Sequence, residues 1–396
     1  MSASEPIADE VAVPPGLEST PGASSSLPVI AFMLILLSAA GTWAWQSALN
    51  DFGPWLWATD VELWRGMKLW TLFTSMFAHA DLLHLGFNCY WCWRLGREIE
   101  RELPRLHFLI LIVGTTIGGS LAELATSGQT GIGMSGMIYG LFGFMLVTRN
   151  QHPVFRQTLD AGTIRLLTGW LLVCFALDAS GIMPVANFAH LGGLIAGLLA
   201  GLASHKGPRK NAARLLLSLL SVAGLVSLLW APWQDNWHFA RAVSAVEAGD
   251  QERALPYLLH YHERHPENEW VSHTSADIRM AQKNYSAARE LLTQTVTVNS
   301  DPSLINRLAW LLATCPDEHI RDGRRAVELA TQACEDTEWE EPNCLDTLAA
   351  AYAECGDFTA ALKWSTKAVV LCPEPDRQEL EVNLQQFKNR QPIREP

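Results

Sequence analysis

The sequence predicts an all-α protein in two parts, a polytopic bundle of membrane-crossing helices followed by a domain of stacked helix pairs. Three observations predict it. Seven apolar runs lie between residues 27 and 233, and a membrane-spanning helix needs about 20 such residues. Beyond residue 233 the pattern becomes amphipathic and repeats, with Ala254, Ala288, Ala326 and Ala361 spaced 34, 38 and 35 apart, the signature of a stacked array. Charge divides at the same place: residues 234–396 carry 27 acidic and 16 basic side chains, a net of −11, against −12 for all 396 residues. The mean hydropathy of +0.08 therefore averages two unlike halves. So acidic a second half argues against a nucleic-acid partner.

Taken in order, residues 1–26 are rich in Pro, Ser and Ala, carry Glu5, Asp9, Glu10 and Glu18 and contain no Lys or Arg. That composition predicts a disordered tail rather than a cleaved leader. The uncharged run 27–49 reads as a retained first span. From Asp51 to Trp70, Trp55, Trp57, Trp64 and Trp70 interleave with Pro54, Glu62, Arg65 and Lys68, which suits an interfacial loop. His79, His84 and Asn88 then enter an apolar helix running to about Arg97, with His84 and Asn88 on one face at i and i+4. H-E-x-x-H is absent, so these histidines are not read as zinc ligands, and no metal or cofactor is inferred.

Apolar runs follow at about 104–126, 135–148 and 164–182, then a helix from His190 to about Ser204, and, after the basic link HKGPRKNAAR, a seventh span at 215–233. Arg94, Arg97, Arg101, Arg105, Arg149, Arg156, Arg165, Lys206, Arg209, Lys210 and Arg214 fall on one side of this arrangement, and only Arg65 and Lys68 on the other. By the positive-inside rule the amino terminus is cytoplasmic. Seven spans then leave the carboxy-terminal domain on the opposite side.

The stretch GIGMSGMIYGLFG, residues 131–143, places Ser135 among glycines at the start of an apolar helix. Gly136, Gly140 and Gly143 form one bare stripe at i, i+4 and i+7, with Ser135 and Tyr139 on the adjacent stripe. AHLGGLIAGLLAG, 189–201, carries His190 with Gly193, Gly197 and Gly201 on one face. Either segment alone reads as a tight helix contact. Together they add a serine and an ionisable side chain inside a membrane, which makes Ser135 the candidate nucleophile and His190 its partner. Met137 stands where the hydrolase elbow requires glycine, so the segment is not that motif.

The last repeat fits the tetratricopeptide pattern best, with Leu348, Ala349, Tyr352, Gly356, Ala361, Ala368 and Pro373 at the expected spacings. The third carries about five extra residues around Pro316 to Asp322, placed in its inter-helix turn. The expected domains are a tail at 1–26, a bundle at 27–204, a basic linker and seventh helix at 205–233, and tetratricopeptide-like repeats at 234–396.

Over roughly residues 27–204 the sequence resembles the rhomboid intramembrane serine proteases. The resemblance rests on E-L-W-R at 62–65, similar to the family's first-loop signature, on His79, His84 and Asn88 in the second helix, on G-M-S-G at 133–136 and on A-H-L-G-G at 189–193. It implies a six-helix core, to which the seventh span and the repeats are additions. It also implies a Ser135–His190 dyad with no acidic member, an oxyanion held by Asn88, His84 and the Ser135 backbone N–H, and Tyr139 stacked on His190. Gly133, Gly136, Gly193 and His79 would support the site, with Glu62, Trp64 and Arg65 forming the first-loop motif. The implied partners are transmembrane protein substrates and the lipid bilayer; separately, the concave surface of a repeat array suggests a protein or peptide ligand. A proteolytically silent scaffold is the rival reading, marked by loss of Ser135 or His190, and both are present. A transporter would show matched inverted halves, which the polar residues do not form. Glu123 and Asp178, near span ends, read as interfacial charges rather than catalytic acids.

Overall fold

The computed structural model describes residues 27–47, 53–204, 207–297, 300–374 and 377–394, so the expected tail at 1–26 lies outside the described residues. The chain divides into two compact units. One combines residues up to 57 with 69–221; the other combines 58–68 with 222–396.

In the first unit, Val29–Gln46 leads to a helix Leu82–Trp91 that continues through a π-helical turn, Cys92–Gly96, into Arg97–Glu102. Arg105–Ser127, Ser135–Thr148, Ala161–Ala179 and Asn187–Ser204 follow, and Lys210–Leu229 runs on into the second unit. Among the described residues, Val29–Gln46, Arg105–Ser127, Ala161–Ala179, Asn187–Ser204 and Lys210–Leu229 are each long and apolar enough to cross a membrane. The protein is an integral, multi-pass membrane protein.

Helix ends are set by short polar side chains. Asp81 Oδ1 accepts the His84 N–H at 2.7 Å and starts the second long helix, as Asp160 does for Ala161–Ala179 through Thr163 N–H at 2.6 Å. The first span is capped from a distance: the buried Glu100 carboxylate accepts the Ile30 and Ala31 N–H groups, each at 2.9 Å.

Ser135–Thr148 is apolar on every side and is buried almost throughout, from Gly136 to Met145, as expected of a central helix. Its neighbours are Asn187–Ser204 and Arg105–Ser127. With 14 residues it is about 21 Å long at 1.5 Å per residue. That is short of the roughly 30 Å hydrocarbon core, so one of its ends stops inside the membrane.

The second unit is built of helix pairs: Asp235–Glu247 with Gln251–His262, Glu269–Ala281 with Tyr285–Thr295, Pro302–Thr314 with Gly323–Asp336, and Pro342–Glu354 with Phe358–Leu371, closed by Arg377–Lys388. Ala254, Ala288, Ala326 and Ala361 each lie on the second helix of a pair and are wholly buried. Four residues before each stands a cap, Asp250, Asn284, Asp322 or Asp357, whose side chain accepts the N–H three residues on. These caps make the periodic positions into helix starts, a regularity the alanine spacing alone did not disclose.

The short helix Asp60–Gly66, within the stretch expected to be an interfacial loop, groups with this second unit. Thr59 and Glu62 form a capping box at its start. Asp60, 2% exposed, accepts from Asn236 Nδ2 at 3.1 Å. Trp64 Nε1–H reaches Ser227 O at 3.4 Å, and Arg65 pairs with Glu247. The first-loop motif residues Glu62, Trp64 and Arg65 are thus engaged by the helix's own cap and by the carboxy-terminal part of the chain.

Candidate active site

The site is assembled by three helices that touch through their backbones. A β-carbon on Gly193 would lie 2.0 Å from the Gly136 carbonyl oxygen, and one on Gly143 would lie 2.7 Å from Leu194 O. The bare stripes of Ser135–Thr148 and Asn187–Ser204 therefore face each other. A third helix, Arg105–Ser127, closes on the same pair. A β-carbon on Gly119 would lie 2.8 Å from Ala189 O, and one on Gly192 would lie 2.7 Å from Gly118 O. Gly118 and Gly119 were missed by sequence reasoning, although two adjacent glycines in an otherwise apolar span were there to be seen.

This contact brings Ser135 Oγ to 2.7 Å from His190 Nε2, with His190 only 5% exposed. His190 Nδ1 has no hydrogen-bond partner among the described residues. Among the described residues no carboxylate bonds to this imidazole, and a neutral ring protonated on Nδ1 presents Nε2 as the acceptor for the serine proton. The Tyr139 ring lies 4.9 Å from that of His190 at a 37° tilt, and its hydroxyl donates to Leu167 O at 3.0 Å. Tyr139 thus braces the imidazole from one turn below the serine.

On the other side of Ser135 stand the second-helix residues. Gly133 has φ +102°, a conformation that favours glycine, and a β-carbon there would meet the His84 ring at 2.8 Å. Gly133 N–H donates to Ser75 O at 3.1 Å, which holds the turn entering the serine helix. His79 is fully buried: Met134 N–H donates to its Nε2 at 3.4 Å and Thr42 Oγ1 lies 3.0 Å from its Nδ1. The donors assign the tautomer. With Nε2 accepting, Nδ1–H donates to Thr42, whose hydroxyl donates in turn to Phe77 O at 3.3 Å. His79 is a strut between the first span and the serine turn.

Ala80 N–H donates to His84 Nδ1 at 3.4 Å, which leaves His84 Nε2–H as a donor with no partner among the described residues. Asn88, 2% exposed, uses one amide hydrogen on His84 O at 2.9 Å and keeps the other. Both residues line, with Ser135, Tyr139 and His190, a cavity of about 1000 Å³ walled by aromatic side chains such as Phe87 and Trp170.

Glu123 and Asp178 also line this cavity, Glu123 buried and Asp178 exposed at the end of its span. Glu123 is 6% exposed and accepts the Phe188 and Ala189 N–H groups. Asp178 accepts Val185 N–H at 3.3 Å and Asn187 Nδ2 at 3.1 Å. Both carboxylates hold the start of the histidine helix.

A multi-pass helical membrane protein that encloses a serine–histidine pair in a cavity with free hydrogen-bond donors has the equipment for acyl transfer within the bilayer. Comparison with known proteins finds a likeness for the membrane bundle. Residues 66–207 match the family model of the Rhomboid domain. The chain is 29% identical over 179 residues to the Rhomboid protease GlpG of Photorhabdus laumondii, covering 45% of this chain and 63% of the relative. It is 32% identical over 133 residues to the Rhomboid proteases GlpG of Yersinia pseudotuberculosis and Yersinia pestis, covering 34% of this chain and 47% of each relative. The chain thus spans less than two thirds of the length of these relatives. Over residues 66–207 its membrane bundle is similar to the Rhomboid domain.

Proposed function

We propose that the protein is an intramembrane serine endopeptidase that cleaves transmembrane substrates with Ser135 and His190. The observation that carries this reading is the 2.7 Å contact between Ser135 Oγ and His190 Nε2. His190 takes the serine proton as the oxygen attacks a peptide carbonyl, then delivers it to the leaving amine. Water activated by the same imidazole hydrolyses the acyl-enzyme and restores the serine. Asn88, His84 and the Ser135 backbone N–H supply donors for the tetrahedral oxyanion, each worth about 3 kcal/mol in soluble hydrolases. The serine sits at the first position of its helix, where backbone N–H groups have no partner inside the helix and the dipole favours negative charge.

A scissile bond inside a helix has no room for a serine to attack, so substrates must unwind at the cut, which helix-breaking residues favour. By the asymmetry of basic residues the amino terminus is cytoplasmic, and both the cavity mouth and the carboxy-terminal domain lie on the other side. That domain is read as a tetratricopeptide-like array that captures a substrate's soluble part or an adaptor and raises its concentration near Ser135.

The test uses the full chain in proteoliposomes with a model transmembrane substrate and a fluorophosphonate probe. Wild type is expected to cleave the substrate and to be labelled, and Ser135→Ala to do neither. A wild-type chain that is folded yet inert to both would overturn the reading. Protease treatment of intact spheroplasts addresses orientation: a carboxy-terminal domain digested only after permeabilisation would reverse it.

A further inference from the structure

We infer that Glu123 is a positioning residue for the Ser135–His190 pair, acting through the backbone of the histidine helix, an inference that rests on the protease reading above. Glu123 lies in the last turn of Arg105–Ser127 and is 6% exposed. A carboxylate buried in a membrane bundle is costly unless its oxygens are satisfied. Here Oε2 accepts two backbone N–H groups, from Phe188 and Ala189, each at 3.1 Å. They belong to the first turn of Asn187–Ser204, where the donors have no partner inside the helix and negative charge complements the dipole. His190 is the next residue.

Two further contacts show what this bond governs. The helix that carries Glu123 meets the histidine helix on either side of His190, with Gly119 against Ala189 O and Gly192 against Gly118 O. These glycine contacts set how near the two helices lie, with the Ala122 and Ala196 side chains seated against Gly192 and Gly118. The carboxylate adds a directional hold on the first turn of the histidine helix. From the other side Asp178 holds Val185 N–H and the Asn187 amide. The start of the helix is therefore pinned at residues 185 to 189, and the imidazole it bears meets Ser135 Oγ at 2.7 Å. Misplacing a reacting group by about 1 Å is enough to cost on the order of a hundredfold in rate.

The test compares the full-length wild-type chain with Glu123→Ala, Glu123→Gln and Glu123→Asp, all purified in the same detergent. It measures kcat and KM on a transmembrane substrate, the rate of fluorophosphonate labelling of Ser135, and thermal unfolding. Glu123→Ala is expected to lower kcat and labelling together by about tenfold or more, with KM within about twofold. Glu123→Gln is expected to restore most of both, since its amide oxygen accepts the same two N–H groups. The shorter Glu123→Asp is expected to be slow while staying folded, so the inference can be tested even if the alanine variant unfolds. A residue that served only stability would lower the folded fraction and leave kcat per folded molecule unchanged. That result, or a glutamine variant as slow as alanine, would overturn the inference. Inert wild-type protein would remove the protease reading and this inference with it, whereas active wild type beside an equally active Glu123→Ala sinks the inference alone.

Discussion

Gly140 and Gly197 meet so closely that a β-carbon on Gly197 would lie 1.9 Å from the Gly140 carbonyl oxygen. Backbone cannot yield as a flexible side chain can, so any side chain at 197 must push the serine and histidine helices apart. A β-carbon at Gly114 or Gly169, by contrast, would meet nothing within 4 Å. Gly197→Ala should destabilise the bundle by about 1–3 kcal/mol and lose activity with it, while Gly114→Ala and Gly169→Ala stay close to wild type in thermal unfolding. Equal effects at all three positions would refute the backbone contact.

Removing either member of the pair should remove the whole reaction. Ser135→Ala and His190→Ala are each expected to abolish cleavage in the proteoliposome assay, and the double variant to be no worse than either, because residues acting as a unit are strongly non-additive. Appreciable turnover by one single variant would show that the two act separately.

Asp346 should make the carboxy-terminal unit sensitive to pH. It is 3% exposed, and its Oδ2 accepts from Asn383 at 2.7 Å while Oδ1 has no partner among the described residues. Burial pushes its carboxyl up from 3.8 to about 7, against the Asn383 hydrogen bond and with help from Glu379. The folded form thus holds a proton that the unfolded chain has already released. This contribution is fully present below about pH 4 and is lost as pH rises through about 7, by at most about 1.4 kcal/mol per unit. Asp346→Asn should flatten that dependence and gain on wild type as pH rises, read by hydrogen exchange in Pro342–Glu354 at matched pH. A variant that loses ground to wild type on going from pH 5 to pH 8 would contradict the sign.

The contacts of the Asp60–Gly66 helix should differ in weight. Arg65 and Glu247 are 37% and 60% exposed in their side chains, so Glu247→Ala should cost no more than about 1 kcal/mol, and less in high salt. Asn236→Ala strips a partner from the buried Asp60 carboxylate, whose pKa burial already raises, and should cost about 1–3 kcal/mol. Proteolytic susceptibility of residues 58–68 measures both, and the reverse ranking would be the contrary result.

The pairing of the serine and histidine helices was legible because their glycine stripes recur at helical spacing and bare stripes seek each other. What Glu123 does was not. Its partners are the backbone N–H groups of Phe188 and Ala189, some 65 residues on, and a backbone donor leaves no mark in a sequence. The same holds for Asp60, Trp64 and Arg65, whose partners lie more than 160 residues away. Tryptophan and charge at 55–70 suggested the membrane interface by composition, yet composition carries no information about a partner so distant. The repeat caps at 250, 284, 322 and 357 were readable in principle, since each precedes its alanine by four residues, but alanine spacing is the louder signal.

The grouping of residues 58–68 with 222–396 also orders events during synthesis. The short helix leaves the ribosome about 150 residues ahead of the segment it packs with, an interval on the order of 8–30 s at 5–20 residues per second. Over that time Asp60 has no Asn236 and Arg65 no Glu247. A nascent chain halted before residue 222 therefore lacks the partners named above for Asp60, Trp64 and Arg65, and completion of the carboxy-terminal unit supplies them.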